Sequence, residues 1–300
     1  MLLWLVIVIA SYLLFGLSSF GDKLVLNRSP NPKLYTFYVG VLSSLAIILI
    51  PFAGFHIPDV VSFFWIFLTS LVSVAGLYML YSAVAKFDVS RVVPIVGAVQ
   101  PILVLFLGWF FWGVRAITFN NILAFSILLL ASIIISFEKK LAPNKQLLTF
   151  SLVTALLVAL SLVFIKMVFL RQTFLQGTIW IGICNLLLVL TFLFIPGFKK
   201  EAFGKQSAPG KKTLLLVLFT QLVGGLAAFS QTFAISLVPV SSLAIINALR
   251  GIQYVFIFLV TLFFSSFFPN ILKERISRKI VIQKSIAILL IIFGLVILVL

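Results

Sequence analysis

Ten stretches of about twenty mostly apolar residues, parted by short breaks that carry charge or proline, leave this chain few ways to fold. They lie near 2–20, 34–52, 61–81, 92–112, 117–137, 147–169, 177–196, 213–237, 241–265 and 280–299, and are called runs 1 to 10. Each is long enough to cross the hydrocarbon core of a bilayer as a helix. In lipid every backbone N–H and C=O must find its partner within the protein, which leaves helices or a closed barrel. Runs of this length lack the two-residue alternation of barrel strands. The expected fold is therefore an all-α integral membrane protein with ten transmembrane helices. Only 9% of the residues are charged, against roughly 25% in a soluble domain.

The halves of the chain resemble each other. "AVAKFDVSRVVPIVGAVQPILVLF" (83–106) lies over "AISLVPVSSLAIINALRGIQYVFI" (234–257) at an offset of 151, matching Ala83 to Ala234, Val89-Ser90 to Val240-Ser241 and Val104 to Val255. At an offset of 143, "LSSFGDKLV" (17–25) lies over "LSLVFIKMV" (160–168), pairing Ser18 with Ser161 and Lys23 with Lys166. Two five-helix units are expected, residues 1–140 and 146–300. Because five is odd, the second unit enters the membrane from the opposite side, giving two inverted five-helix repeats. That architecture is common in secondary transporters, whose substrate sites lie at the repeat interface near the bilayer midplane.

Three segments carry a resemblance to a known family. They are "GDK" closing run 1, "VSRVVPIVGAVQPILVLFLGWFF" in run 4 and "NILKERISRKIVIQKSIAILLIIFGLVIL" at the end. With the five-plus-five arrangement, the chain resembles the EamA-domain branch of the drug/metabolite transporter superfamily over nearly its whole length. The resemblance implies a ten-helix inverted-repeat transporter in the cell membrane. It does not specify the substrate. After run 4, where an acidic "GE" is common in the family, this chain has "FWGVRAI"; the second half keeps Glu274 in "LKERIS".

Residues three, four and seven apart share a helix face. In run 9 this rule gathers Asn247, Arg250, Gln253 or Tyr254, and Thr261; in run 8 it gathers Gln221, Gly224, Ala228 and Gln231. Run 4 adds Gly97, Gln100 and Pro101, with Pro94 before them, and run 3 places Ser70 and Ser73 opposite Gln221 and Gly224 at the 151 offset. Runs 3, 4, 8 and 9 are thus expected to surround one polar cavity, with runs 5 and 10 at the periphery. Amides in membrane helices also serve as interhelical glue worth about 0.6 kcal/mol. Lys23 and Lys166 lie near helix C-terminal ends, where a cation meets the dipole and can snorkel to the interface.

Arg250 stands out. At roughly 13 Å of helix from its nearer end, it is too deep to snorkel, and a guanidinium at mid-bilayer costs about 2.5–3.5 kcal/mol. It either bonds backbone carbonyls between helices or receives a charged ligand. The substrate-binding set expected from sequence is Arg250, Asn247, Gln253, Tyr254, Gln221, Gln231, Gln100 and Lys166. Since Arg and Lys attract carboxylate and phosphate, the expected substrate is a small polar or anionic metabolite.

Absences narrow the chemistry. All six acidic residues, Asp22, Asp59, Asp88, Glu138, Glu201 and Glu274, fall outside the runs or at their ends, so no mid-membrane carboxylate could bind a cation and a proton in turn. One cysteine (Cys184) and one histidine (His56, in the break after run 2) offer no metal set. No catalytic residues, cofactor or metal are expected. A flippase for a phosphorylated lipid carrier is the first alternative, to be recognised by a lateral opening between helices. A membrane-embedded enzyme is the second; it would need a polar cluster at one membrane face. The net charge of +16 is read as topology signal and lipid anchoring rather than nucleic-acid binding. Membrane lipid and a second copy of the chain, through run 10, are the expected partners. With Arg250 left out as intramembrane, eighteen Lys and Arg fall on one side of the runs and three on the other, which by the positive-inside rule places both termini outside the cytoplasm.

Overall fold

The computed structural model describes residues 3–26, 31–87, 89–113, 119–136, 145–203, 211–267 and 278–299. Every element among them is helical. In chain order they are α1 (Leu3–Leu26), α2 (Pro32–Ser43), α3 (Ile50–Ala53), α4 (Val60–Lys86), α5 (Val89–Trp112), α6 (Phe119–Ser136) and α7 (Lys145–Phe169). There follow α8 (Phe174–Leu190), α9 (Phe198–Phe203), α10 (Lys211–Leu237), α11 (Leu243–Ala248), α12 (Gly251–Phe267) and α13 (Arg278–Val299). A 3₁₀ stretch, Ser44–Leu49, joins α2 to α3 so that run 2 continues as one rod.

Among the described residues, seven helical segments are long and apolar enough to cross a membrane: Pro32–Ala53, Val60–Lys86, Ile95–Trp112, Lys145–Phe169, Phe174–Phe194, Leu215–Leu237 and Val240–Ile257. Three shorter apolar helices, Leu3–Ser18, Ile122–Ile134 and Ile282–Ile297, fall where runs 1, 5 and 10 were read. Polar caps start several of these helices. Asp59 accepts from the Ser62 amide at the head of α4, Asn31 from Leu34 at the head of α2, and Thr173 from Gln176 at the head of α8. Each side chain satisfies one of the amides that a helix N-terminus leaves without an internal partner. His56 lies in the loop before α4, where its carbonyl receives the Trp180 indole N–H at 2.8 Å.

The helices pack in antiparallel pairs. Tyr12 and Ser18 of α1 meet Gln231 and Thr220 of α10 in reverse order. On α4 and α7, Trp65 stacks near Phe164 at 5.5 Å while Gly76 faces Leu157 and Val158. Gln283 of α13 donates to the Ile134 carbonyl of α6, and Gly294 packs on Leu128. Between α2 and α8 the approach is closest at two glycines: a side chain on Gly40 would run into Val189, and one on Gly182 into the Ser43 carbonyl. Lipid tails are as apolar as leucine, so close backbone approach and hydrogen bonds, not hydrophobic burial, hold such pairs together.

Run 9 departs from a single helix. Its course is a 3₁₀ turn (Val240–Ser242), then α11, then a break at Leu249–Arg250, then α12. Across the break the amides of Arg250, Ile252 and Gln253 bond carbonyls three residues back, on Asn247, Leu249 and Arg250. That tightening strips the carbonyls of Ile246 and Ala248 of their usual donors. Hydroxyls from other helices replace them: Tyr12 donates to Ile246 at 2.7 Å and Ser132 to Ala248 at 2.9 Å. Gly251 allows this, since any side chain there would meet Ser132 Oγ and Ile291.

Candidate functional site

Arg250 sits at the break itself, where the course of run 9 from Val240 to Phe267, called helix 9 below and distinct from α9, passes α5 in the opposite direction. Its Nη1 donates to Gln100 Oε1 at 2.6 Å. Gln100 Nε2 donates in turn to Asn247 Oδ1 at 2.8 Å, and Asn247 Nδ2 donates to the Leu243 carbonyl at 3.3 Å. Guanidinium offers donors and no acceptor, so Arg250 fixes the direction in which the whole chain of bonds runs. Gln100 and Asn247 are each 1% exposed. From α1, the buried Tyr12 hydroxyl neighbours the same guanidinium and accepts from Gln231 Nε2 of α10 at 3.1 Å. Arg250 Nε is buried and has no hydrogen-bond partner. Leaving a buried donor unmade costs on the order of 1–3 kcal/mol, and more for a charged group, so the site holds a cation that its protein neighbours only partly satisfy.

No carboxylate is among the neighbours identified for Arg250. Of the acidic side chains described, Asp59 caps α4 and Glu201 accepts from Asn31 at an exposed position. Asp22 lies on described helix, but its side chain is outside the described residues, as are Asp88, Glu138 and Glu274 altogether. Among the described residues, no group of three or more His, Cys, Asp and Glu side chains could hold a metal ion.

The other residues expected at the site divide. Gln100, Asn247 and Gln231 converge with Arg250 from three helices. Tyr254, one turn along α12, lies with its hydroxyl against Gly97 of α5, and Gln253 is partly buried beside it. Gln221 does not join them. It reaches Tyr35 of α2, whose ring packs edge-on to Tyr81 of α4 at 4.6 Å, forming a separate polar cluster. Lys166 does not join them either. Its ammonium donates to the carbonyls of Ile235 at 3.0 Å, Ser236 at 3.4 Å and Val238 at 2.6 Å. An ammonium has three N–H donors, and all three are engaged at the C-terminal end of α10. The second substrate-attracting charge expected from sequence is therefore a helix cap. The side chains of Lys23 and Thr261, also singled out from sequence, lie outside the described residues.

Two contributors were not foreseen, Tyr12 and Ser132, because α1 and α6 read as plain apolar spans. The signal for α1 was slight: Ser11 and Ser18, one heptad apart and both buried, mark the face beside Tyr12. The cluster accordingly draws on α1 where α4 was expected. Helices α6 and α13 pack on each other, and α6 supports the break through Ser132.

Where α5 passes the start of helix 9, Val104, Leu105, Gly108 and Gly113 close on Val240, Ser241, Leu243 and Ala244, with a gap of only about 10 Å³. A wider crevice of about 640 Å³ opens elsewhere, between Phe52 and Ala53, the start of α8 at Thr173–Gln176, and Phe229 and Phe233 of α10. Its walls include none of the residues around Arg250.

No family model matches this chain, and no curated protein does. A solved crystal structure, named only "Crystal structure of protein", is similar to it with a TM-score of 0.68, covering 97% of this chain and 96% of its own at 16% identity. At that identity the likeness is one of fold alone, over nearly the whole chain.

Proposed function

We propose that this protein is a secondary transporter of the drug/metabolite type, similar to the EamA branch, that moves a small polar or anionic metabolite across the cell membrane by alternating access. The observation that carries the reading is Arg250: a guanidinium inside the span, at a helix break, bonded to a neutral amide and left with a buried N–H unpartnered. A carboxylate or phosphate would complete its bonding with charge-assisted hydrogen bonds roughly twice as strong as neutral ones. The amino end of α12 opens directly after Arg250 and adds the positive end of a helix dipole.

The helix pairing supports two inverted repeats. Under such a repeat, α1 against α10 and α7 against α4 are one contact seen twice, while α2 with α8, helix 9 with α5, and α6 with α13 are self-paired. The caps Asn31 and Thr173, and the approach glycines Gly40 and Gly182, are both 142 residues apart. Gln100 and Arg250 stand 150 apart, one short of the sequence offset, so that under this repeat the cluster would lie beside the pseudo-two-fold axis. In this reading both termini are extracytoplasmic, and a reporter that fluoresces only in the cytoplasm, fused after Leu300, stays dark.

Flipping of a phosphorylated lipid is the second reading, favoured by the crevice between α8 and α10, which is lined by the rings of Phe52, Phe174, Phe229 and Phe233. One experiment bears on both. Purified protein is placed in liposomes and uptake of labelled carboxylates and phosphates is measured beside movement of a fluorescent phospholipid between leaflets. Arg250→Gln should abolish anion uptake while the melting temperature stays near that of the parent. Normal uptake by this variant, or its wholesale unfolding, would remove the anion reading.

A further inference from the structure

Gln100 has a feature that a simple cavity-lining amide lacks: it offers its oxygen to the very cation assigned to the ligand. Its Oε1 lies 2.6 Å from Arg250 Nη1, and its Nε2 is held by Asn247 at 2.8 Å, so the amide can point its oxygen only at the guanidinium. The side chain is 1% exposed and fixed at both ends. An anion that takes the Nη1 edge of Arg250 needs the place that this oxygen fills. We propose that Gln100 is a built-in substitute for the ligand's oxygen, competing with the anion for Arg250. The inference rests on the reading of Arg250 as the anion-binding group.

Two physical consequences follow. A carboxylate or phosphate oxygen makes the stronger, charge-assisted bond, so it displaces the neutral amide. When the anion leaves, Gln100 recaptures the guanidinium, and the cation is spared the larger desolvation penalty of having no acceptor. Gln100 belongs to α5, in the first half of the chain, whereas Arg250 and Asn247 belong to helix 9, in the second. Exchange of the amide for an anion therefore breaks a tie between the halves at the place where they cross. Gln100 is thus a positioning residue that links occupancy of Arg250 to the hold of α5 on helix 9.

The test needs no knowledge of the natural substrate. Melting temperatures of the purified full chain in detergent are measured with formate, acetate or inorganic phosphate against chloride at equal ionic strength. Gln100→Ala and Gln100→Asn vacate the oxygen's place, and each should gain about 2 °C or more over the parent's response to added formate or phosphate. Gln100→Glu keeps the shape but pairs permanently with Arg250, so it should fold and lose the response. Should the shortened variants fail to fold, the Glu variant decides alone. Shortened variants no more responsive than the parent, or a Glu variant equally responsive, would overturn the assignment. Liposome uptake separates this from failure of the transport reading. A parent that moves no anion while the Gln100 series behaves as expected loses the transport function and keeps the competition. A parent that moves anions while the series is flat loses the competition alone.

Discussion

Lys166 and Arg250 both lie within helical segments long and apolar enough to cross a membrane, and they are held in opposite ways. Lys166 of α7 gives its N–H bonds to three backbone carbonyls at the end of α10. Arg250 of helix 9 bonds one side-chain amide from α5, neighbours one tyrosine, and keeps a buried Nε without a partner. Helix-end carbonyls have no other donors, so the lysine and the α10 terminus complete each other and nothing remains to exchange. The Gln100 amide, in the exchange proposed above, gives way to an anion and returns when it leaves. Cations of similar cost in lipid are thus held differently, one fixing two helices of the second half and one keeping a buried donor without a partner.

The sharpest way to break this contrast is Lys166→Met, which fills the space but leaves the carbonyls of Ile235, Ser236 and Val238 without their donor. We expect a loss of about 3 kcal/mol or more, since each abandoned buried acceptor costs roughly 1–3 kcal/mol, seen as a marked fall in melting temperature. Anion uptake per folded molecule should change little. A variant that melts like the parent and yet fails to transport would move Lys166 into the site.

Arg250→Lys gives a smaller, opposite signature. The charge stays but the planar fork is lost, so uptake should fall by about tenfold, corresponding to 1.4 kcal/mol, with little change in melting temperature. Full uptake would show that any cation at the break suffices.

The smallest effect concerns the support around Arg250. Tyr12→Phe removes the hydroxyl that serves the Ile246 carbonyl and receives Gln231, and should cost about 1 kcal/mol of stability. Hydrogen exchange of the amides at 246–253 should rise with it. Unchanged exchange there would mean that the break does not depend on α1.

The cluster around Arg250 shows how far the residues could be read in sequence. Arg250 announced itself by being charged in an apolar run, and helical spacing put Asn247 on its face and Gln231 and Gln100 on polar stripes of their own runs. Spacing could not say which stripes meet. Gln221 shares the run 8 stripe with Gln231 but lies ten residues, about 15 Å of helix, further from the break, and there it meets Tyr35 instead. Hydropathy was silent on Tyr12, whose ring suits an apolar run while its hydroxyl serves a carbonyl on another helix.

Sequence alone determined the membrane-spanning helical class, because the requirement that backbone groups be satisfied in lipid acts on each run separately. It also determined that a guanidinium lies within an apolar run, far from any acidic residue of that run. The tertiary structure decided the rest: that helix 9 breaks at Leu249–Arg250, that hydroxyls from α1 and α6 serve the carbonyls this sets free, and that Lys166 is spent on α10 while Arg250 is not. These depend on which helix faces lie together, and that is set by close approach at particular residues such as Gly40, Gly182 and Gly251 and by hydrogen bonds between residues far apart in the chain. A property averaged along a single run carries no record of its neighbour.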